Sequence, residues 1–402
     1  MIKPSPSGSK KKVLFMNLYT EMGGGEYAVY YLVKELDKSR FHPIMLFNKR
    51  GTFVEKIESL GVETSIVPFP AVMLKKLIAP NVLWKTMKAS RELRRFLQKK
   101  EVDVIHCSDV LTLLLIALPA ARCRIPVIYS VIFFYEPARM ILLNVLGLLA
   151  VKRIIANSTV VKEDLLRRTV LLSKKVETLY QGVDTDQFRP SRNGEAKKLR
   201  HELRVEPGTK LVGMVGRFDP SKGHKIFLRA AAAVLQKRKD IKFVIVGGLL
   251  NEDVIPSLRR YLDSVIRHAE ELDLGNHLVF LSHRDDAPEV IRSLDVLVCA
   301  SVSEGFGLTV LEGLASGVPV VVSRSTGALE VVAGMAGVFV AETGDPASFA
   351  TRIHEALVER KNPAVELQAA ARQGKFKDLS WHGYAKRVEK LYDEVGTLAE
   401  RE

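Results

Sequence analysis

Three cysteines in 402 residues, none in a C-x-x-C pair, cannot build a disulfide framework. A reducing compartment fits that usage. No stretch reaches the roughly 18–20 apolar residues of a membrane-spanning helix. The sequence shows no H-E-x-x-H, no His-x-His and no Cys-plus-His spacing, so no metal is implied. A Walker A loop and a G-x-S-x-G elbow are also missing. Glycine follows no three-residue period, which excludes collagen. No zinc-knuckle, KH or RRM signature is present, which speaks against nucleic acid as a partner. The start of the sequence is polar and lysine-rich, without an A-x-A site, so a signal peptide is not expected.

What is present is an ordinary globular composition, 47% hydrophobic and 26% charged, at a length that suits two or three domains. The net charge of +14 is uneven. Residues 1–190 hold 30 Lys and Arg against 17 Asp and Glu, while residues 191–402 hold 30 against 29. A basic first half suits an anionic partner, such as a phosphorylated substrate or acidic lipid headgroups.

Short apolar runs alternate with helical spacings along most of the chain. After an expected tail over 1–12, strands are predicted at Val13–Asn17, Phe41–Phe47, Glu63–Val67, Val104–His106, Pro126–Ile132 and Arg153–Asn157. Helices are predicted between them at Tyr27–Leu36, Val54–Leu60, Leu83–Lys100 and Leu111–Ala121. The window Met140–Val151 is the most apolar and reads as a core helix or as one lying in a membrane interface. A charged stretch over 181–210 separates a second alternation. Its strands are Leu211–Val215, Lys242–Val246, His277–Leu281, Val296–Ala300 and Pro319–Ser323. Its helices are Ile226–Arg238, Val254–Glu271, Ala287–Leu294 and Thr309–Ala315. Strand alternating with helix implies parallel sheets in an α/β fold. Two doubly wound domains are expected, 1–188 and 189–380, facing a cleft. The amphipathic segment 381–402, anchored by Trp381, is free to pack on either. Ligands in such folds sit beyond the carboxyl ends of the strands.

Three loops there carry chemistry. Glu304-Gly-Phe-Gly-Leu-Thr-Val-Leu-Glu312 follows a strand and opens a helix near Gly307. Backbone N–H groups of Phe306, Gly307 and Leu308 at a helix start bind phosphate, and Thr309 adds a hydroxyl. Carboxylates accept from sugar hydroxyls, so Glu304 and Glu312 around phosphate donors suggest a sugar nucleotide. The second loop, Gly216-Arg-Phe-Asp-Pro-Ser-Lys-Gly223, offers Arg217 and Lys222 to one anion. The third is Gly23-Gly24-Gly25, at a helix start. It is a phosphate or sugar approach, or a plain flexible loop; the absence of an acid after Asn48-Lys49-Arg50 argues against NAD. His106, at a strand end, would point into the cleft as a ligand contact or serve as a structural histidine. Asp184-Thr-Asp186 reads as a turn rather than a metal site.

With these loops in hand, the chain resembles the retaining nucleotide-sugar glycosyltransferases of the two-Rossmann (GT-B) type, family 4, also called group 1. The resemblance runs from Val13 to about Val395 and is strong from Arg153 onward. It rests on Ile155-Ala-Asn-Ser158, Gly182-Val-Asp184 with Phe188, Gly216-Arg217 with Lys222-Gly223, and Val246-Gly-Gly248. Glu304 through Glu312, Gly317-Val-Pro-Val-Val321, Gly327 and Glu330 complete it. The resemblance implies a donor that is a UDP-, GDP- or ADP-sugar, no cofactor and no metal. Arg217 and Lys222 would hold the pyrophosphate. Glu304 would contact the donor sugar and Glu312 the ribose. Phe306, Gly307, Leu308 and Thr309 would touch sugar and phosphate, and Ser282, His283 and Arg284 would lie beside the base. Gly23, Gly24 and Gly25 would close over the diphosphate. It further implies a glycan or lipid-linked acceptor received by the basic half, in the cytoplasm or at the inner membrane face. The basic segment Arg91–Lys100 is the expected membrane contact. The resemblance also counts His106 among the catalytic residues, with Arg217, Lys222 and Glu304. Departures from the family are Ile132 where a histidine is usual, His106-Cys-Ser108 for His-x-His, Gln181 for Asn, and Ser282 for Gly. They fit an unusual acceptor or a lost activity. The alternatives are a catalytically degenerate sugar-nucleotide-binding module, or another GT-B enzyme such as an epimerase or a phosphorylase.

Overall fold

The computed structural model describes residues 10–68, 80–191, 197–249, 256–358, 364 and 379–399. Most of the expected N-terminal tail and the first residues of the helix predicted from Val254 lie outside these residues. The chain divides into two compact units. Unit 1 is Met1–Tyr180 with Trp381–Glu402, and unit 2 is Gln181–Ser380.

Unit 1 alternates strands and helices in the order β1 (Lys11–Asn17), α1 (Gly24–Glu35), β2 (Phe41–Phe47), α2 (Thr52–Glu58), β3 (Glu63–Ile66) and α3 (Pro80–Lys100). It continues with β4 (Val104–Cys107), α4 (Val110–Cys123), β5 (Val127–Val131), α5 (Pro137–Ala150), β6 (Val151–Ala156), α6 (Thr159–Arg168) and β7 (Val176–Thr178). The sheet order is β3-β2-β1-β4-β5-β6-β7, all parallel. Parallel strands covered on both faces need unbroken apolar runs. β5 (VIYSV) and β4 (VIHC) are buried at every position.

Alternate residues of these strands feed two different layers. Leu14, Met16, Ile105, Cys107, Val127 and Tyr129 join the core under α3, α4 and α5. Phe15 and His106 face the other way, their rings stacked 5.4 Å apart.

Unit 2 comprises α7 (Lys197–Glu202), β8 (Lys210–Val215), α8 (His224–Leu235), β9 (Ile241–Val246), α9 (Pro256–Glu271), β10 (Leu278–Leu281) and α10 (Ala287–Arg292). β11 (Val296–Cys299), α11 (Leu308–Ala315), β12 (Val320–Ser323), α12 (Leu329–Val332), β13 (Val338–Ala341) and α13 (Pro346–Val358) follow. Its parallel sheet runs β10-β9-β8-β11-β12-β13. That is the strand order of a doubly wound nucleotide-binding sheet. Elements α6, β7, α7, α12, β13 and α13 go beyond those read from sequence. β13 is short and only partly buried, whereas α13 buries Phe349, Ile353 and Ala356 at helical spacing, a signal the sequence does hold.

The segment after Tyr180 enters unit 2 eight residues before the expected boundary. Val183 N–H donates to Leu379 O at 2.8 Å, and Arg292 donates to Gln187 O at 2.6 Å. Asp184 is spent inside its own turn, accepting from the backbone N–H groups of Asp186 and Gln187.

The last helix, α14 (Trp381–Ala399), belongs to unit 1. Trp381 stacks on Tyr31 with centroids 5.0 Å apart. Buried Glu389 accepts from Asp37 N–H at 2.8 Å and pairs with Lys386 and Arg40. Lys11 Nζ donates to Tyr392 O and to Asp393 Oδ1, both at 3.0 Å. Docking therefore combines aromatic burial with paired charge. Trp381→Ala should cost about 3–5 kcal/mol, the usual loss for a buried aromatic truncation. Chemical denaturation checks this; a loss below about 1 kcal/mol would show that α14 is held without its aromatic anchor.

Candidate functional site

In unit 2 the strand order reverses between β8 and β11, so the loops that leave these two strands flank the crevice where such sheets take ligands. They are the Arg217–Lys222 loop and the Glu304–Gly307 loop. Asp219 shapes the first. Its Oδ1 accepts from Ser221 N–H at 2.9 Å and from Ser221 Oγ at 2.5 Å, starting a short 3-10 turn, Pro220–Lys222. Gly223 ends that turn at φ 76°, and a Cβ there would meet Ala300 O at 1.9 Å. Only glycine allows this approach. Val302 N–H then donates to Ser221 O at 2.8 Å, joining the two loops.

The join brings Lys222 Nζ to 2.5 Å from Glu304 Oε2, and Ser301 Oγ donates to the same oxygen at 3.0 Å. Behind Glu304, the segment Thr326–Ala328 supports the loop. Gly327 N–H donates to Glu304 O at 3.3 Å and Ala328 N–H to Phe306 O at 2.7 Å. Gly307, at φ 95°, turns the chain into α11. The first N–H groups of α11, those of Leu308 and Thr309, precede the point where a helix supplies its own acceptors, which suits an anion. Lys222, Ser301, Glu304, Gly307, Thr309 and Thr326 line one pocket here. Arg217 is exposed and only loosely held, 3.8 Å from Asp219.

Glu312 sits one turn into α11, half-buried, and its carboxylate has no hydrogen-bond partner among the described residues. Burial pushes its carboxyl up to about 7, against the pull of Lys222. Burial and then the nearby Glu304 raise the Cys299 thiol to about 12, so it is no nucleophile. His224, at the start of α8, is fully buried and stacks on Phe218 at 4.7 Å. Burial lowers its pKa to about 4, so a neutral ring supports the Arg217–Lys222 loop.

The structure thus gathers Arg217, Lys222, Glu304, Gly307, Leu308, Thr309 and Glu312 around one switch point. Ser282 and His283 lie exposed after β10, and His283 packs on Gly248 beyond β9. Arg284 is closed on Asp286 (2.7 Å) and Glu202 (2.8 Å), so its guanidinium is already engaged. The Phe306 side chain is buried in the unit, which leaves the expected contact to its backbone N–H. Ser301, Asp219, His224 and Thr326 went unread. Ser301 was legible, since it opens the loop after β11.

His106 needs a correction. It lies inside β4 rather than at its end, and both ring nitrogens are occupied. Nδ1 is 2.6 Å from Tyr392 Oη on α14 and Nε2 is 2.7 Å from Ser130 Oγ. Burial pulls its pKa down to about 3, so the ring is neutral. It is a structural histidine under α14, not a free ligand contact. Gly23 to Gly25 do start a helix, α1, in unit 1. Ile132 Cδ1 packs there, 2.7 Å from where a Cβ on Gly25 would sit.

The raised pKa of Glu312 makes a prediction with a definite sign. The stability linked to this group is full below the ordinary glutamate range and is lost as pH rises to about 7. Glu312→Gln should therefore match the parent near pH ~4.5 and exceed it above pH ~7.5. Urea midpoints across that range check it; a constant difference would mean that Glu312 titrates normally.

Comparison with known proteins agrees with this geometry. Residues 195–374 match the pattern described as Glycosyl transferases group 1, and residues 22–187 match Glycosyltransferase Family 4. A D-inositol 3-phosphate glycosyltransferase of Corynebacterium jeikeium is 29% identical over 254 residues, 62% of this chain and 58% of that protein. The chain spans about half the length of the curated relatives it matches. Among solved structures, Anabaena HepE in complex with UDP and glucose superposes with a TM-score of 0.80 at 20% identity, over 96% of this chain and all (100%) of that one. A glycosyltransferase from Rickettsia africae gives 0.78 at 20% identity, over 96% and 99%. These two likenesses show the fold, and the sequence patterns show the family: the chain belongs to the family 4 glycosyltransferases, with the two-Rossmann GT-B fold.

Proposed function

We propose that this protein is a retaining glycosyltransferase. In this reading it moves a sugar from a UDP-, GDP- or ADP-sugar onto a glycan or lipid-linked acceptor, without a metal ion, at the cytoplasmic face of a membrane. One observation carries the reading: Lys222 and Glu304 are held together at the switch point of unit 2, beside the open N-terminus of α11. The solved relative HepE, described with UDP and with UDP-glucose, supports a uridine donor as the first to test.

The chemistry follows from the side chains. In the free protein Lys222 and Glu304 satisfy each other. A sugar diphosphate gives each a better partner: phosphate oxygens for Lys222, and donor-sugar hydroxyls for Glu304. Arg217, loosely held, is free to grip the same diphosphate bidentately. Glu312 accepts from the ribose hydroxyls. As the bond from the anomeric carbon to the leaving oxygen breaks, negative charge grows on the diphosphate. Fixed cations and the α11 N–H groups stabilise that charge. The acceptor hydroxyl attacks from the same face, and a phosphate oxygen takes its proton. In this reading Arg217 and Lys222 do the neutralising that a metal ion does in other transferases.

A second reading, a binding module without turnover, has one observation in its favour. Ile132 places an apolar group on Gly25 where a family histidine would reach the sugar. The intact Lys222–Glu304 pair favours the enzyme.

Titration calorimetry with UDP, GDP, ADP and NAD tests the donor site. One nucleoside diphosphate should bind, and Arg217→Ala should weaken it by about 1.5–3 kcal/mol, as for a lost charged hydrogen bond. A folded sample that binds none of the four would remove the reading.

A further inference from the structure

We infer that Thr326 is a specificity-determining residue of the site in unit 2: together with Glu304 it reads two neighbouring hydroxyls of the donor sugar. The inference deepens the proposed function and rests on it, since it takes the ligand to be a sugar diphosphate.

Thr326 stands beside Glu304. The two residues pair as an isolated parallel bridge between the loop leaving β11 and the loop leaving β12. The backbone there is fixed on both sides. Thr326 N–H donates to Ser323 O at 3.1 Å, and Thr326 O accepts from Leu329 N–H at 3.1 Å. The preceding residue is tied in as well, because Ser325 Oγ donates to Ser301 O at 3.0 Å. The methyl group of Thr326, Cγ2, rests over Gly307, 2.8 Å from where a Cβ on that glycine would sit. A β-branched side chain is stiff at its first torsion, so this contact also fixes the hydroxyl.

That hydroxyl is unmatched. Thr326 is only 3% exposed, and its Oγ1 has no hydrogen-bond partner among the described residues. The hydroxyls near it are matched. Ser323 Oγ lies 3.1 Å from Ser325 Oγ and 3.0 Å from Thr343 Oγ1, and Ser301 Oγ donates to Glu304. Other buried side chains also hold an unmatched polar atom. Among the described residues, Thr326 is the one of them that lines the pocket with Lys222, Glu304 and Thr309. Buried polar groups are normally paired, and for Thr326 the pocket is the side from which a partner arrives. Glu304 is half open too. Lys222 and Ser301 both donate to Oε2, and Oε1 accepts no bond among the described residues.

The two open groups select the chemistry of the partner. A carboxylate only accepts, whereas a threonine hydroxyl both donates and accepts. A phosphate oxygen would meet the charge of Glu304 at close range, and it has the cations and the α11 N–H groups to go to instead. Sugar hydroxyls suit both groups. One donates to Glu304 Oε1, and its neighbour on the ring bonds with Thr326 Oγ1. A sugar without a hydroxyl at the second position leaves Thr326 unmatched in the complex, which weakens binding. Thr326 therefore discriminates among donor sugars, while Arg217 and Lys222 take the diphosphate common to all of them.

Titration calorimetry separates the two contributions. The nucleoside diphosphate that binds is titrated alone and as its glucose and N-acetylglucosamine conjugates, into the parent, Thr326→Val and Thr326→Ser. Valine keeps the methyl contact at Gly307 and removes the hydroxyl, whereas serine keeps the hydroxyl. Thr326→Val should bind the diphosphate as the parent does and the tighter conjugate about three- to tenfold more weakly, with Thr326→Ser close to the parent. In the free protein Thr326→Val should raise the urea midpoint, because a methyl replaces an unmatched hydroxyl. An equal loss for diphosphate and conjugate would mean that Thr326 only shapes its loop. No loss for either would mean that the sugar does not reach it, and a lower urea midpoint that the hydroxyl is already bonded within the protein. Each of these overturns the inference, as does a parent that takes the diphosphate but neither conjugate; all leave the diphosphate site standing. A folded parent that binds no nucleoside diphosphate removes the transferase reading and the inference with it.

Discussion

The site in unit 2 depends on one steric constraint, the contact between Gly223 and the carbonyl of Ala300. No side chain fits there. Because the backbones touch, the loop leaving β8 and the loop leaving β11 behave as one body. Lys222 comes from the first and Glu304 from the second, and their pairing records how closely the loops are joined. Asp219, Phe218 and the neutral ring of His224 brace the first loop, and Thr326 to Ala328 brace the second. The functional groups therefore sit on a preset frame, so little ordering remains to be done when a ligand arrives.

Within that frame the charges are balanced rather than idle. Lys222 and Glu304 spend their charge on each other. Glu312 has no such partner and resists ionising instead. Such a site costs less to keep empty than one with bare, buried charges. A ligand bearing both phosphate and hydroxyl groups satisfies both halves of the pair at once. A plain anion satisfies only the lysine and leaves a carboxylate short of donors. Selectivity for a sugar diphosphate over phosphate alone can arise from this pairing.

Much of this was legible in the sequence because it depends on local chemistry. The apolar runs of β4, β5 and β12 announce buried parallel strands. Strand-then-glycine loops announce the ends where ligands bind, which is why Arg217, Lys222, Glu304 and Glu312 were readable. What escaped depends on contacts distant in sequence. Nothing near His106 shows that a phenol 286 residues later will fill its outer side. Phe306 sits between two glycines in a loop that reads as ligand-facing, yet the unit's core draws its ring inward. Arg284 looks available until Glu202, from a different helix, closes on it. The boundary after Tyr180 was misplaced for a similar reason: Leu379, far along the chain, pairs with Val183.

The return of α14 to unit 1 also sets an order of assembly. The N-terminal unit is made first but cannot be finished first. His106, Tyr31 and the Asp37 backbone wait for partners encoded in α14, hundreds of residues later. Unit 2 has all its strands on the ribosome before those partners emerge. The second-made unit can therefore close while the first still lacks a helix, reversing the usual N-to-C sequence of domain folding. A chain cut short anywhere before Trp381 would leave unit 1 with an open face of aromatic and polar groups.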